Sequence, residues 1–249
     1  MTASNAPSPG GLRAAWRRLL LALPPTLQCR WLSLRSRGRV ARGPGSFVHR
    51  SVQILGRSGV AIGANSVVSQ DCWLNVNHRF ADARSIVIGA NCFIGRRNFF
   101  SSGRAVVVGD FVLTANDCHF LGSTHVADDP LRPVIATGTT ADDTIRVGAN
   151  TFIGAGARIV GNVSIGHGSV VAAGSTVTRD VPPFSRVVGS PATVRARYSL
   201  PRRAWVAPED FGPQDEAAIP AEADYVARLA AAGPIAMPYI AAGSDLGDC

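Results

Sequence analysis

Aliphatic side chains recur every six residues along much of the chain, and the clearest run extends from Val147 to Val177. The positions in this run are Val147, Ile153, Ile159, Ile165, Val171 and Val177, and earlier runs contain Ile62, Val68, Leu74, then Ile88, Ile94, Phe100, then Val108, Thr114, Phe120. An amphipathic helix repeats every 3.6 residues and a half-buried strand every two, so neither explains this period. A fixed short period predicts a solenoid of short strands and turns.

The hexad period has a simple geometric interpretation. Six residues form one flat side of a triangular coil, so that three hexads complete a turn, and successive turns stack about 4.8 Å apart. The aliphatic residue points inward, and a small residue usually follows it because the backbone turns a corner there. The sequence therefore predicts an all-β fold, a parallel β-helix of hexapeptide repeats with exposed ends that require caps.

The hexad pattern divides the chain into three parts. We predict an N-terminal extension at 1–46 that is partly helical and basic, a β-helix domain at 47–197, and a C-terminal tail at 198–249. Within the extension, residues 12–23 predict a short basic amphipathic helix, which either caps the first coil or contacts an anionic membrane surface. The tail contains one helix-like segment at 221–232, and its pattern leaves open whether it docks on the solenoid.

Two segments, 75–85 and 124–144, interrupt the hexad period. The second is long and largely polar. A loop of this kind that protrudes from one corner does not stabilise a β-helix. Long loops on rigid scaffolds commonly carry function. His125 stands at the head of this protruding loop, which makes it the sharpest functional signal in the sequence.

The composition describes a folded protein with a strong positive charge. The 249 residues are 46% hydrophobic and 17% charged, with a net charge of +8, and every basic residue is arginine because the sequence contains no lysine. These values exclude global disorder. No segment resembles a nucleic-acid-binding motif, so the charge does not predict a nucleic-acid partner.

The cysteines predict free thiols in a reducing compartment. They are five in number and lack any CxxC spacing: Cys29, Cys72, Cys92, Cys118 and Cys249. The apolar run at 19–23 is too short for a signal peptide, and no stretch reaches the length of a transmembrane helix. We therefore expect a cytoplasmic protein.

Residues 153–192 carry a recognisable sequence, IGAGARIVGNVSIGHGSVVAAGSTVTRDVPPFSRVVGSPA. This segment resembles the hexapeptide-repeat acyltransferases, in particular the maltose/galactoside O-acetyltransferase type and the sugar acetyltransferases of surface-polysaccharide biosynthesis. The resemblance extends over roughly residues 55–195. It implies a left-handed parallel β-helix that assembles as a homotrimer and uses acetyl-CoA as the acyl donor, without a metal.

The resemblance also implies catalytic residues. His125 matches the histidine that opens the protruding loop and acts as general base in that family, and Asn98 matches an active-site asparagine that contacts acceptor or cofactor. The assignment is chemically reasonable because an acceptor hydroxyl has a pKa far above 7, and histidine titrates in the useful range. Attack on the thioester would be direct, and the resulting oxyanion would require hydrogen-bond donors.

Coenzyme A binding is implied for the last coils. The matching positions are Ala155, Ala173, Thr178, Arg179 and, for the 3′-phosphate, Arg195 or Arg197. Small side chains at the first two positions would let the pantetheine arm lie against the backbone. The guanidinium groups could pair with phosphate.

Two other interpretations remain open at this point. The spread of His78, His119 and His125 loosely resembles the zinc site of γ-type carbonic anhydrases, and imidazole is a good zinc ligand. Alternatively, the β-helix is a non-catalytic scaffold held at anionic surfaces by its arginine-rich N-terminus. Within the acyltransferase interpretation the acceptor is a sugar hydroxyl first, an amino sugar second, and a small amino acid or drug third.

Overall fold

The computed structural model describes residues 39–78 and 84–233, all within a compact unit that begins at Arg39. The predicted helix at 12–23, the other residues before Arg39, and Cys29 and Cys249 lie outside the described residues. No helix in the described part of the chain is long and apolar enough to cross a membrane.

Three sheets, which we call faces A, B and C, form the sides of a triangular solenoid, and the chain visits them in that order in every coil. Face A contains β1 (Ala41–Arg42), β4 (Val60–Ile62), β7 (Ile86–Ile88), β10 (Ala105–Val108), β13 (Thr144–Val147) and β16 (Val163–Ile165). Face B begins with β2 (Phe47–Val48), β5 (Val67–Val68), β8 (Phe93–Ile94), β11 (Leu113–Thr114), β14 (Phe152–Ile153) and β17 (Val170–Val171). Face C contains β3 (Gln53–Leu55), β6 (Trp73–Val76), β9 (Phe99–Ser102), β12 (His119–Leu121), β15 (Arg158–Val160) and β18 (Thr176–Val177).

The register of these strands confirms the predicted parallel β-helix. On face A, Ile62 pairs with Ile88, which in turn pairs with Val108, so residues from separate hexad runs form one buried column. On face C, Phe100 pairs with Phe120, and their buried rings stack with centroids 4.4 Å apart. Stacking like residues in this way fills the prism with apolar side chains that exclude water.

A second buried column lies at the corners, two residues before each inward aliphatic position. Small hydrogen-bond donors occupy many of these positions and reach carbonyl groups of the next coil. The Ser66 hydroxyl donates to Gly89 O at 2.7 Å, and the Cys72 thiol contacts Gly95 O at 3.0 Å. Burial raises the pKa of Cys72 to about 12, so this thiol is structural and unreactive at neutral pH.

The two predicted interruptions leave the solenoid at the same corner, between faces C and A. One lies between β6 and β7 and includes the undescribed residues 79–83, and the other joins Leu121 to Thr144. The longer one contains a short 3-10 helix, Val134–Ala136. Placing both excursions at one corner leaves the three faces continuous.

Residues 198–233 of the C-terminal tail dock on the last coils, where Ala149 N donates to Glu222 and Asn150 contacts the Tyr225 hydroxyl. For this part of the tail, the structure answers the question that the sequence left open. Face B continues through β19 (Ser185–Gly189), β20 (Ala192–Ser199) and β21 (Ala204–Val206), the last two joined in antiparallel fashion. A 3-10 helix (Pro208–Asp210) and helices α1 (Pro213–Ala217) and α2 (Glu222–Ala231) follow. These elements form a cap.

Both predicted domain boundaries are displaced from those of the structure. The first strand of face A begins at Ala41, six residues before the predicted start of the β-helix at 47, because β1 already pairs with β4. At the other end, β20 runs across the predicted boundary between 197 and 198. The cap is therefore an extension of face B. The boundary predicted from the change in composition falls inside β20 and not at the start of the cap.

Asp215 holds the cap together from a buried position, with 3% of its surface exposed. Its carboxylate accepts hydrogen bonds from the Ser199 hydroxyl and from Gly212 N at 2.9 Å, and pairs with the Arg202 guanidinium at 2.9 Å. The hydrogen bond from Ser199, followed by that from Gly212, lowers the pKa of Asp215. A lowered folded-state pKa stabilises the fold above the unfolded value of about 3.9, and this stabilisation disappears as the pH falls through the folded value.

We predict that Asp215→Asn lowers the midpoint of thermal unfolding at pH 7, because the neutral amide loses the charge-assisted hydrogen bonds. The difference from the wild type should begin to shrink as the pH falls below about 4, where the Asp215 carboxylate of the unfolded chain becomes protonated, and should disappear below the lowered pKa of the folded state. Glu209→Gln, at an exposed site in the same cap, serves as the control and should leave the midpoint unchanged. A deficit independent of pH would contradict this role.

Candidate functional site

His125 lies exposed on a β-hairpin that forms the base of the long loop. It bridges to Thr139 in antiparallel fashion, and the hairpin is closed by Val126 N to Gly138 O at 2.9 Å and Thr140 N to Thr124 O at 2.8 Å. The point where the loop leaves the solenoid is tightly packed. A Cβ atom on Gly103 would lie 2.0 Å from the Gly122 oxygen, so the loop departs in a fixed direction.

Thr140 anchors this hairpin to the rest of the corner. Its hydroxyl accepts a hydrogen bond from Thr124 N at 3.1 Å, and its carbonyl accepts one from the Ser123 hydroxyl at 2.9 Å. The same carbonyl lies 2.9 Å from Nε2 of His78, which comes from the shorter excursion. Because a carbonyl oxygen can only accept, Nε2 of His78 carries the hydrogen.

Four side chains form a polar cluster beneath the hairpin base: Asn75, Asn77, Ser101 and Ser102. Nδ2 of Asn77 donates to Ser101 Oγ at 2.9 Å and to Ser102 O at 3.1 Å, and Asn75 Nδ2 donates to Asn77 Oδ1 at 2.5 Å. Two buried atoms of the cluster, Asn75 Oδ1 and Ser102 Oγ, have no hydrogen-bond partner among the described residues. Such orphaned polar atoms are costly unless a ligand or water satisfies them, so the cluster is a candidate site for a polar ligand.

The side chain of Asn98 makes structural contacts between coils, and its catalytic role stays a prediction. The residue is fully buried, and its amide nitrogen donates to Gly95 O at 3.0 Å, Thr114 Oγ1 at 2.6 Å and Ala115 O at 3.1 Å. Its oxygen accepts the Cys118 N–H at 2.5 Å. Every polar group of Asn98 is thus used to hold adjacent coils together.

The positions proposed for coenzyme A flank the outer surface of face C on its last coils. Ala155 and Ala173 lie exposed at the corner between faces B and C, and Thr178 and Arg179 lie exposed at the corner between faces C and A. Arg195 is exposed on β20, in the cap. These five residues therefore do not form one cluster, but the first four border one strip of surface.

The corner between faces B and C leaves room for a ligand against the backbone. Gly156 and Gly174, which follow the two alanines, have φ values of +69° and +68°, and an added Cβ at either would meet no atom within 4 Å. The glycines satisfy the left-handed turn, and the open space around them would accept an extended chain such as a pantetheine arm.

The histidines predicted as alternative zinc ligands have other contacts. His119 lies on the outer surface of face C, where its ring meets that of Phe99 edge-on at 6.1 Å, and His78 contacts Thr140. Among the described residues, no group of three or more histidine, cysteine, aspartate or glutamate side chains is arranged to hold a metal ion. The geometry gives the zinc interpretation no support.

Known proteins resemble this chain in sequence repeats and in fold. Residues 144–179 match the family model described as bacterial transferase hexapeptide (six repeats). The matched residues extend from β13 to β18, in the last coils of the solenoid. A structure of AntD, an N-acyltransferase from Bacillus cereus in complex with dTDP and 3-hydroxybutyryl-CoA, has a TM-score of 0.53 with 19% identity, covering 65% of this chain and 85% of that one. At this level of identity the likeness concerns the fold alone.

Sequence relatives match this chain over a short segment. A putative acetyltransferase of Staphylococcus aureus (strain COL) is 48% identical over 50 residues, which is 20% of this chain and 25% of the relative. A serine acetyltransferase of Buchnera aphidicola subsp. Schizaphis graminum (strain Sg) is 53% identical over 45 residues, or 18% of this chain and 17% of the relative. The chain thus aligns with a quarter or less of the length of these relatives.

We predict that His78→Ala loosens the hairpin that carries His125, because it removes one donor to Thr140. Deuterium uptake by peptides covering 123–140, measured by mass spectrometry, should accelerate by about two- to tenfold, the equivalent of one hydrogen bond. Thr137→Ala, which removes a hydrogen bond confined to the loop tip, is the control and should leave uptake at 123–126 unchanged. Equal uptake in His78→Ala and the wild type would show that His78 does not anchor the hairpin.

Asn98→Ala should act on stability, since it leaves the buried Cys118 N without its side-chain acceptor and removes a donor from three other groups. The free energy of unfolding, measured by guanidinium denaturation, should fall by at least about 1–3 kcal/mol. Asn116→Ala, at an exposed corner position in the next coil, is the matched control and should cost much less. An Asn98→Ala protein of wild-type stability would refute the structural role.

Proposed function

We propose that this protein is an acyl-CoA-dependent O-acetyltransferase that moves an acetyl group from acetyl-CoA to a hydroxyl of a sugar or glycan precursor. The observation that carries the proposal is the placement of His125 on an anchored, exposed hairpin, at the same corner of the solenoid as Thr178 and Arg179. The names of the sequence relatives, which are acetyltransferases, and the coenzyme A complexes of the structural relative support this class of reaction.

In the proposed reaction, His125 acts as the general base. Its ring nitrogen takes the proton of the acceptor hydroxyl while that oxygen attacks the thioester carbonyl. The carbonyl π electrons move onto oxygen, and the tetrahedral oxyanion then collapses as the carbon–sulfur bond breaks. The coenzyme A thiolate leaves and takes up the proton held by His125, so that ester and free thiol are the products. Backbone N–H groups at the corner are the candidate donors to the oxyanion.

The residues assigned to coenzyme A each have a distinct role. Ala155 and Ala173 leave space along the corner for the pantetheine arm, and Thr178 contacts the arm at the opposite corner. Arg179 and Arg195 present guanidinium groups to the phosphates, since both side chains are exposed. The donor supplies the activated acetyl group and a good leaving group.

The proposal extends to assembly and location. We infer a left-handed winding and a homotrimer, the arrangement of the family that the sequence resembles, with active sites between adjacent prisms. A polysaccharide pathway in the cytoplasm fits a sugar acceptor, and the basic N-terminus would supply any peripheral membrane contact. A mutant of AntD has been crystallised in complex with dTDP-4-amino-4,6-dideoxyglucose and coenzyme A, so amino sugars belong among the acceptors to be tested.

We expect acceptor-dependent release of free thiol from acetyl-CoA against a panel of sugars and amino sugars. His125→Ala should reduce that release at least about a hundredfold, because the attacking hydroxyl loses its base. His49→Ala, at a half-buried histidine of the first coil, is the control and should retain activity.

Equal release by wild type and His125→Ala would remove His125 from the mechanism. If no acceptor supports release and calorimetry also detects no coenzyme A binding, the acyltransferase proposal is wrong and the scaffold interpretation is favoured.

A further inference from the structure

A buried histidine that the proposed reaction does not use lies beneath the C-terminal cap. His167 occupies the corner between faces A and B on the last coil, between β16 and β17, and only 5% of its surface is exposed. Its ring contacts Phe184, which precedes β19, and Tyr225 of α2, with centroids 5.2 Å away in both cases. The imidazole is therefore part of the contact between α2 and the solenoid.

The backbone that carries His167 is fixed by close packing of successive corners. A Cβ atom on Gly148, one coil earlier, would lie 2.4 Å from His167 N. A Cβ atom on Gly166 would lie 2.3 Å from Pro183 N, one coil later. Because the backbones of the three corners are in direct contact, the imidazole cannot leave its site by a shift of its own corner. The element that can move away from it is α2.

Few contacts hold α2 on the solenoid. The helix has ten residues, and none of its side chains is fully buried. Besides the ring contacts of Tyr225, the Glu222 carboxylate accepts a hydrogen bond from Ala149 N at 2.6 Å, and the Tyr225 hydroxyl accepts one from Asn150 Nδ2. A short helix with so little buried surface opens at a lower free energy than the solenoid that carries it. A change at one of these contacts is therefore enough to shift its docking.

The docked arrangement favours the neutral form of the imidazole. Nε2 of His167 is buried and has no hydrogen-bond partner among the described residues. The neutral ring carries hydrogen on one nitrogen, whereas the protonated ring carries hydrogen on both and a positive charge. Burying that charge beside a nitrogen without a partner is much more costly than burying the neutral ring. Burial is accordingly the largest influence on the pKa of His167, and it lowers that pKa.

The charged groups around the ring oppose this effect without cancelling it. The Glu222 carboxylate and then a neighbouring backbone carbonyl raise the pKa of His167, but the net shift is downward. Tyr225 is the other ionisable side chain of α2 that meets the ring, and its hydroxyl is bonded to the solenoid. On the opposite side, Arg197 donates to a carbonyl of the following corner and is paired with Glu216 at 2.6 Å. The corner of the preceding coil, 148–150, contains no ionisable side chain.

We propose that His167 is a proton-sensitive latch, in which the neutral ring holds α2 on the last coil and protonation of the ring releases the helix. Docking is strongest above the ordinary histidine pKa of about 6.5, which the ring regains when α2 leaves. It weakens as the pH falls through that value, because the released state binds the proton more tightly than the docked state. The inference is independent of the proposed reaction, since neither His167 nor α2 is assigned a part in acyl transfer.

The first test measures deuterium uptake by peptides covering 222–231 in the full-length protein at pH 7.5 and pH 5.5, with rates corrected for the intrinsic effect of pH on exchange. Protection of α2 should fall by up to about tenfold at pH 5.5, which is one unit below the ordinary histidine pKa. Peptides covering 144–147, within β13, are the control and should keep their protection. Equal protection of α2 at the two pH values would overturn the proposal.

Two variants identify the group that takes up the proton. His167→Gln is neutral at both pH values, so its α2 should show the same protection at pH 7.5 and pH 5.5. Glu222→Gln retains the imidazole and removes the carboxylate that favours its protonated form, so the fall in protection should persist and be at least as large as in the wild type. A full fall in His167→Gln, or its loss in Glu222→Gln, would show that His167 is not the sensor.

A titration of the wild-type protein keeps the proposal testable even if His167→Gln does not fold. The imidazole proton shifts of the five histidines are followed by nuclear magnetic resonance between pH 8 and pH 5, and the His167 signal is assigned from its contacts with the Phe184 and Tyr225 rings. Its midpoint should lie below the ordinary histidine value of about 6.5. A midpoint at or above that value would mean that the docked ring accepts the proton readily, and would overturn the latch.

Discussion

The hydrogen bonding and packing of each coil against the next is the constraint on which the rest of this molecule depends. In the part of the chain that the structure describes, no strand of the solenoid pairs with its neighbour in sequence until the cap, so each coil is held by the coils before and after it. The inward column supplies apolar contact, and the corner column supplies donors such as Ser66 and Asn98, which bind carbonyls of the following coil. A disruptive substitution in either column therefore weakens the contacts between two successive coils.

This constraint also explains where the candidate site lies. A long insertion within a face would break the ladders, whereas an insertion at a corner leaves them continuous, and both excursions emerge at the corner between faces C and A. The solenoid then serves as a rigid base for the His125 hairpin, which Thr140 connects to His78 and Ser123. Positioning a catalytic group on such a fixed element lowers the cost of orienting it toward a substrate.

Periodicity in the sequence was sufficient to predict the core. The columns of Ile62, Ile88 and Val108 follow directly from counting in sixes, and so does the placement of the long loop after Leu121. The same count also applies to Asn98. That residue stands two positions before Phe100, as Cys72 stands before Leu74, and this position is buried in both cases. Periodicity alone therefore predicts that Asn98 is buried, whereas its catalytic role depends on the family resemblance.

The parts that sequence analysis missed depend on contacts between distant segments. The hydrogen bond from His78 to Thr140 spans 62 positions and has no periodic signature, and the polar cluster forms only when Asn77 meets Ser101 across neighbouring coils. The ends of the solenoid were misplaced for a related reason. Short strands such as Ala41–Arg42 carry too little pattern to be recognised before their partner strand is known.

The crystal structure of the protein with coenzyme A bound would test the central claim most directly. We predict that the pantetheine arm lies along the outer surface of face C and brings the sulfur to the corner between faces C and A. An acceptor hydroxyl placed there to attack the thioester carbonyl would be within hydrogen-bond distance of the His125 ring, directly or through one water. Coenzyme A bound with its sulfur at the corner between faces A and B, away from the hairpin, would contradict the account.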